Sequence, residues 1–139
     1  MIINKINSVA LFALAFSGMA TYAQDVNKTN ENGKRDGKWI GYFEGSNRVR
    51  YEGVFKNGVE QGVFNFFEDS EKSNIVAKRD FSSQDGNAFT TFFDSKGKKV
   101  SEGNFKNKEK EGKWVYYQAD GKTILSEENY TAGALNGVR

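Results

Sequence analysis

One spacing constrains this chain more than any other feature. Gly37, Gly62, Ala88, Gly112 and Gly137 stand 25, 26, 24 and 25 residues apart. Two places after each of the first four come Trp39, Phe64, Thr90 and Trp114, and five places after come Tyr42, Phe67, Phe93 and Tyr117. Seven places before each of the last four come Phe55, Phe81, Phe105 and Tyr130. A recurrence of this length marks one supersecondary unit that cannot bury its apolar face alone and so stacks on its neighbours. Four units begin near residues 37, 62, 88 and 112, with a fifth started at Gly137.

Each unit reads as a β-hairpin. A first apolar stretch (KWIGYF, VFNFF, FTTFF or KWVYY) meets a turn-forming cluster such as Asp94-Ser95-Lys96-Gly97 or the longer Glu68–Asn74. A second stretch follows and ends on the aromatic of its unit. In RVRYEGVF, Val49, Tyr51 and Phe55 fall on one face and Arg48, Arg50 and Glu52 on the other, the period of a half-buried strand. Connections such as Lys56-Asn57-Gly58-Val59-Glu60-Gln61-Gly62 carry Asn and Gly where the chain must turn, and Gly62 and Gly112 are read as turn glycines with positive φ. The chain has no proline, which suits strands paired on both sides. The expected fold is all-β: about four antiparallel hairpins added one per period into an elongated, twisted sheet.

The phrase G-x-W/F-x-x-Y/F, followed by a turn, an aromatic, two residues and glycine, resembles the bacterial variant of the MORN (membrane occupation and recognition nexus) repeat. Gly37-Lys38-Trp39-Ile40-Gly41-Tyr42 and Gly112-Lys113-Trp114-Val115-Tyr116-Tyr117 carry the resemblance best, and it extends roughly from Asn30 to Arg139. Ala88 and Thr90 depart from it where glycine and an aromatic are expected. The resemblance implies a β-hairpin solenoid with an interaction role. Some bacterial relatives are labelled antitoxins of toxin–antitoxin systems, and some eukaryotic relatives are linked to membranes or lipids.

Residues 1–23 read as a cleaved secretory signal: Lys5, the apolar run Val9–Phe16 and the small-x-small site Thr21-Tyr22-Ala23. Residues 24–36 would form a partly flexible lead-in, and 37–139 the repeats. With no cysteine to carry a lipid, the expected location is periplasmic or secreted, which argues against a cytoplasmic antitoxin. The absence of histidine and cysteine removes Ser-His triads, thiol nucleophiles, histidine bases and imidazole or thiolate zinc sites. Glu68-Asp69-Ser70-Glu71 lacks a calcium-loop pattern and reads as a solvated turn. The chain is read as a non-enzyme with no cofactor and no metal. Basic and acidic residues nearly balance and are interleaved, so nucleic acid is not an expected partner, and a membrane surface is possible but not favoured.

Seventeen aromatics follow residue 23. Neighbours on a strand point to opposite faces, so two rows are expected: Trp39, Phe64 and Trp114 with Phe43, Phe66, Phe92 and Tyr116, and on the other side Tyr42, Phe67, Phe93 and Tyr117. The second row is the candidate ladder for a protein or surface polymer. Open strand edges near Trp39 and Tyr130 offer a route to a homodimer. The expected role is therefore a protein-interaction or scaffolding module in a bacterial envelope.

Overall fold

Turn chemistry decides the topology. Three reversals carry positive φ at both central residues: Asn57–Gly58 (51° and 83°), Asn107–Lys108 (50° and 69°) and Ala132–Gly133 (45° and 78°). Such left-handed pairs match the twist of adjoining antiparallel strands. Other loops are closed by an aspartate. Asp94 accepts from the backbone N–H groups of Lys96 and Lys98, each at 2.9 Å, and Asp120 from those of Lys122 and Thr123 at 2.9 and 2.8 Å.

The computed structural model describes residues 25–83 and 85–139. Among the described residues nine strands form: β1 (Gly37–Tyr42), β2 (Val49–Lys56), β3 (Val59–Phe67), β4 (Ile75–Asp80), β5 (Asn87–Phe93), β6 (Lys99–Lys106), β7 (Glu109–Tyr117), β8 (Ile124–Thr131) and β9 (Ala134–Val138). They lie in chain order in one antiparallel sheet that stays open, and no helix is present among the described residues. The four hairpins are β1–β2, β3–β4, β5–β6 and β7–β8. The partial fifth unit lies in β9, where Gly137 faces Asn129. The expected export signal, residues 1–23, lies outside the described residues.

Two irregularities recur with the period. The second strand of every hairpin carries one extra residue, Arg50, Val76, Val100 or Leu125, opposite an uninterrupted partner. Such a bulge re-aims the side chains beside it. The second irregularity corrects the reading of Gly62 and Gly112 as turn residues. Their φ values are positive, 61° and 67°, yet both lie inside strands β3 and β7. The reversals are made earlier, at Asn57–Gly58 and Asn107–Lys108. The two glycines instead let β3 and β7 gain two residues on the preceding strand, so that Val54 faces Gln61 while Glu52 faces Asn65. At the third unit Ala88 takes this place, and the pairing of β4 with β5 runs without a shift.

The core lies on one side of this sheet. Phe55, Phe64, Ala77, Ala88 and Trp114 are buried, with Trp114 fully so. Rings meet edge to face across neighbouring strands: Phe55–Phe64 at 5.1 Å, Phe64–Phe81 at 5.3 Å and Phe105–Trp114 at 4.9 Å between centroids. Two glycines make room for them. A Cβ on Gly53 would lie 2.4 Å from the Phe64 ring, and one on Gly103 would lie 2.5 Å from Trp114. The rings thus rest on bare backbone.

The edge near Trp39 is not open. Asn27 donates its backbone N–H to Lys38 O at 2.9 Å, and its side chain accepts from Ile40 N at 2.7 Å and donates to Ile40 O at 3.0 Å. Trp39 Nε1 donates to Lys28 O at 2.9 Å. The lead-in therefore lies along β1 and uses the groups that another strand would need.

The two kinds of glycine separate in a stability measurement. Gly112→Ala meets no neighbour within 4 Å and is expected to cost about 1–2 kcal/mol, the penalty of left-handed backbone alone. Gly103→Ala must displace a buried indole, so denaturant titration is expected to show a larger loss together with altered tryptophan fluorescence. The reverse ranking would refute this account of the core.

Candidate functional site

The two faces of the sheet differ in how their charges are satisfied. On one face, here the ladder face, oppositely charged side chains pair across neighbouring strands, Lys38–Glu52 at 3.7 Å and Lys113–Glu127 at 2.5 Å, and along β6, Lys99–Glu102 at 2.9 Å. Asn65 Nδ2 and Thr91 Oγ1 donate to Glu52 and Glu102, each at 3.3 Å. These are cross-strand pairs of the kind that keep a sheet face wet.

Tyr42, Phe67, Phe93 and Tyr117 occupy equivalent register positions, each opposite the residue just before a bulge. One strand separates each from the next, about 10 Å at ordinary strand spacing. Tyr42 is half exposed, and the other three are half-buried. No two of these rings touch. The Tyr117 hydroxyl instead donates to Glu102, with Lys99 Nζ 5.4 Å above the ring. Phe93 borders a shallow depression with Ile75, Lys78 and Lys96. The four are brought into line but not into contact.

The opposite face, the ring face, holds Trp39, Phe64, Phe66, Phe92, Trp114 and Tyr116 with the hairpin-closing Phe55, Phe81, Phe105 and Tyr130. Phe43, just past β1, makes no ring contact among the described residues. The ring chain divides into two clusters. The first runs from Trp39 through Tyr51, Phe55 and Phe64 to Phe66 and Phe81, and the second joins Phe92, Phe105 and Trp114. Between them Thr90 stands where an aromatic is expected, fully buried, and Arg79 crosses the gap. Its Nε donates to Thr90 Oγ1 at 3.3 Å, and its guanidinium lies 4.9 Å over Phe105. Burial pushes the Arg79 guanidinium below its ordinary value, partly offset by the Glu60 carboxylate.

Sequence reasoning missed the cations that cap these rings. Arg35 sits 4.7 Å over Trp39 and 5.1 Å over Phe55, and donates to the Tyr51 hydroxyl at 3.1 Å. Arg50, the bulge residue, lies 5.7 Å over Tyr51. Lys110 stands 4.7 Å from both Trp114 and Tyr130 and donates to the Tyr116 hydroxyl at 2.5 Å. One signal was available: residues 35, 60 and 110 fall in register with the period, as Arg, Glu and Lys. Among the described residues, Arg35, Arg50 and Arg79 form no ion pair.

Two tyrosines are perturbed by carboxylates. The hydrogen bond to Glu102 pushes the Tyr117 hydroxyl up to about 12, and that to Glu128 does the same for Tyr130, with Tyr116 adding to it. Burial raises Glu102, but the donors Tyr117 and Lys99 outweigh it and leave its carboxyl below the usual value. No group of three or more acidic side chains is placed to hold a metal among the described residues, and no helix there is long and apolar enough to cross a membrane. Neither the known protein-family models nor the curated proteins include a match to this chain.

Two outcomes follow from the burial and hydroxyl geometry. Trp114→Ala is expected to cost about 3–5 kcal/mol, as for other fully buried aromatics. Tyr117→Ala, half-buried and touching no other ring, is expected to cost clearly less in the same denaturant titration. Raised tyrosine values stabilise the protonated fold, so their contribution is complete below the ordinary tyrosine pKa of about 10 and is lost as pH climbs towards 12. Glu128→Gln should flatten that loss in stability measured across the alkaline range; an unchanged slope would exclude the Tyr130–Glu128 bond as its source.

Proposed function

We propose that this chain is an exported, non-enzymatic binding or scaffolding module of the bacterial envelope, and that it holds its protein or surface-polymer partner on the ring face. One observation carries the reading: the ring face bears aromatic rings in mutual contact and arginines without ion pairs, and among the described residues no second layer covers it. On the ladder face Lys38, Lys99 and Lys113 are each paired with a glutamate of the chain, so a partner gains little at those positions. Aromatic and arginine side chains are the types that dominate binding energy at interfaces. The resemblance to bacterial MORN repeats supports an interaction role, and the apolar run near the N-terminus supports export. The lack of histidine and cysteine supports a role without catalysis.

Photo-crosslinking in cells tests it. A photoreactive residue replaces the exposed Arg50 on the ring face or the exposed Val63 on the ladder face, with the full chain otherwise intact. Adducts to an envelope protein or polymer are expected from position 50 and not from position 63. Adducts confined to position 63, or to cytoplasmic proteins, would overturn the reading, and crosslinks to lipid alone would move it to a membrane surface.

A further inference from the structure

Two shallow depressions lie side by side on the ring face. The first, about 240 Å³, is lined by Arg35, Arg50, Arg79 and Glu60 over a floor that includes Tyr51 and Phe64. The second, about 370 Å³, is almost wholly apolar, with Ala77 and Thr90 below and Phe66, Phe92 and Phe105 around them. They share Phe66 and Arg79 and so form one continuous groove. Together they fall in the size range of small-ligand sites. The second depression exists because Ala77 and Thr90 are small where Tyr51 and Phe64 fill the corresponding places one unit earlier.

We propose that this groove binds a small amphipathic carboxylate, its acid group against the three guanidiniums and its apolar ring or chain over Ala77 and Thr90. Three positive groups face one carboxylate, Glu60, so the first depression keeps a net positive charge. Guanidinium matches a carboxylate in planar, two-point geometry, which favours this acid over a spherical ion. Two of the guanidiniums are already oriented. Arg35 is held by the Tyr51 hydroxyl and two rings, and Arg79 by Thr90 and Phe105, which lowers the ordering cost of binding. The apolar depression has no unmet polar demand, because Thr90 Oγ1 accepts from Arg79 and donates to Ala88 O at 3.2 Å. The matching place in the last hairpin is closed from within: Lys110 is bonded to Tyr116, and the Tyr130 hydroxyl donates to Glu128 at 2.5 Å. The site therefore belongs to the first three hairpins. It rests on the ring face being the binding side and adds the chemistry of its ligand.

Titration of the mature chain with 3-phenylpropionate, followed by amide chemical shifts and calorimetry, tests the proposal. One-to-one binding is expected, with shifts centred on Ala77, Arg79 and Thr90. The neutral 3-phenylpropanamide and the bodiless acetate should each bind at least about tenfold more weakly, the loss of a charge-assisted pair in the first case. Arg50→Gln changes an exposed residue and is expected to weaken the acid at least fivefold, on the order of a bond to a charged group, without altering the folded spectrum. Ala77→Leu should fill the depression and do the same. Equal binding of acid and amide, shifts confined to the ladder face, an Arg50→Gln variant that binds as the parent does, or no saturation at about 10 mM ligand would each overturn it. Crosslinking at position 50 is read independently, so a failed titration leaves the binding-face assignment standing, and failed crosslinking with successful titration removes the macromolecular partner alone.

Discussion

The described residues form a sheet with no second layer, which has to make its core from side chains that lie along its own surface, and everything else in this structure answers to that. Two-layer proteins bury apolar groups between their layers. Here the cover for one strand's ring comes from the ring of the next strand and from the cations that lie over it, so burial passes laterally. Phe64 and Trp114 reach near-complete burial because Gly53 and Gly103 present backbone without a Cβ and let each ring lie down upon it. A neighbouring phenyl, Phe55 or Phe105, then closes over the edge at about 5 Å. Each such contact contributes about 0.5–1.5 kcal/mol beyond its area, and each depends on the strand beside it being in place. Stability built this way is a property of adjacent hairpins and has no single centre.

The same lateral logic sets the sizes of residues across each joint between hairpins. Gly53 meets Phe64 and Gly103 meets Trp114, but Arg79 meets Thr90. Bulk is conserved while its source changes sides: where the earlier strand carries the long side chain, the later one carries a small residue. This explains why the chain repeats itself most closely after two units, in EGVFKNGVEQGVFNFF and EGNFKNKEKEGKWVYY, and less closely after one. It also explains why the ring chain is broken at β4 and β5. An aromatic at position 90 would collide with Arg79, and the guanidinium that replaces it spans the gap by stacking on Phe105. The break in the core and the groove beside it have one cause.

Much of this was legible in the sequence because period-two alternation and a 25-residue recurrence both act locally. The hairpins, the alternating turns and the grouping of Trp39, Phe64, Phe66, Phe92, Trp114 and Tyr116 on one face follow from those patterns. What was not legible depends on register. Gly62 and Gly112 look like turn residues because they are glycines near Asn-Gly and Asn-Lys, and only pairing shows that they widen a strand already under way. Arg50 alternates onto the face of Arg48 and Glu52 on paper, but the bulge at that residue turns it towards Tyr51 on the ring face. Tyr42, Phe67, Phe93 and Tyr117 share a row as the pattern implies. Strand spacing keeps them too far apart to stack, so their neighbours are lysines and carboxylates. The part played by Asn27 at the edge of β1 left no periodic trace, since a single side chain there takes the place of a strand.

Charge placement then separates the two faces by what each leaves for solvent or a partner. On the ladder face a lysine and a glutamate from neighbouring positions neutralise one another, and water satisfies the remainder at little cost. On the ring face of the first hairpins the arginines sit over aromatic rings, which attract them through the quadrupole, and form no ion pair, with Glu60 as the one carboxylate beside three guanidiniums. Lys110 shows the closed version of this arrangement, with two tyrosine hydroxyls and Glu128 gathered around it. Glu60, at the place of Lys110 one pair of hairpins earlier, is the opposite charge, and Arg79 faces it where Glu128 stands in the later pair. Reversing that pair removes the hydroxyl network, because Phe66 and Phe81 replace Tyr116 and Tyr130. Two phenyl-for-phenol differences thus leave one half of the ring face satisfied from within and the other half with donors directed outwards.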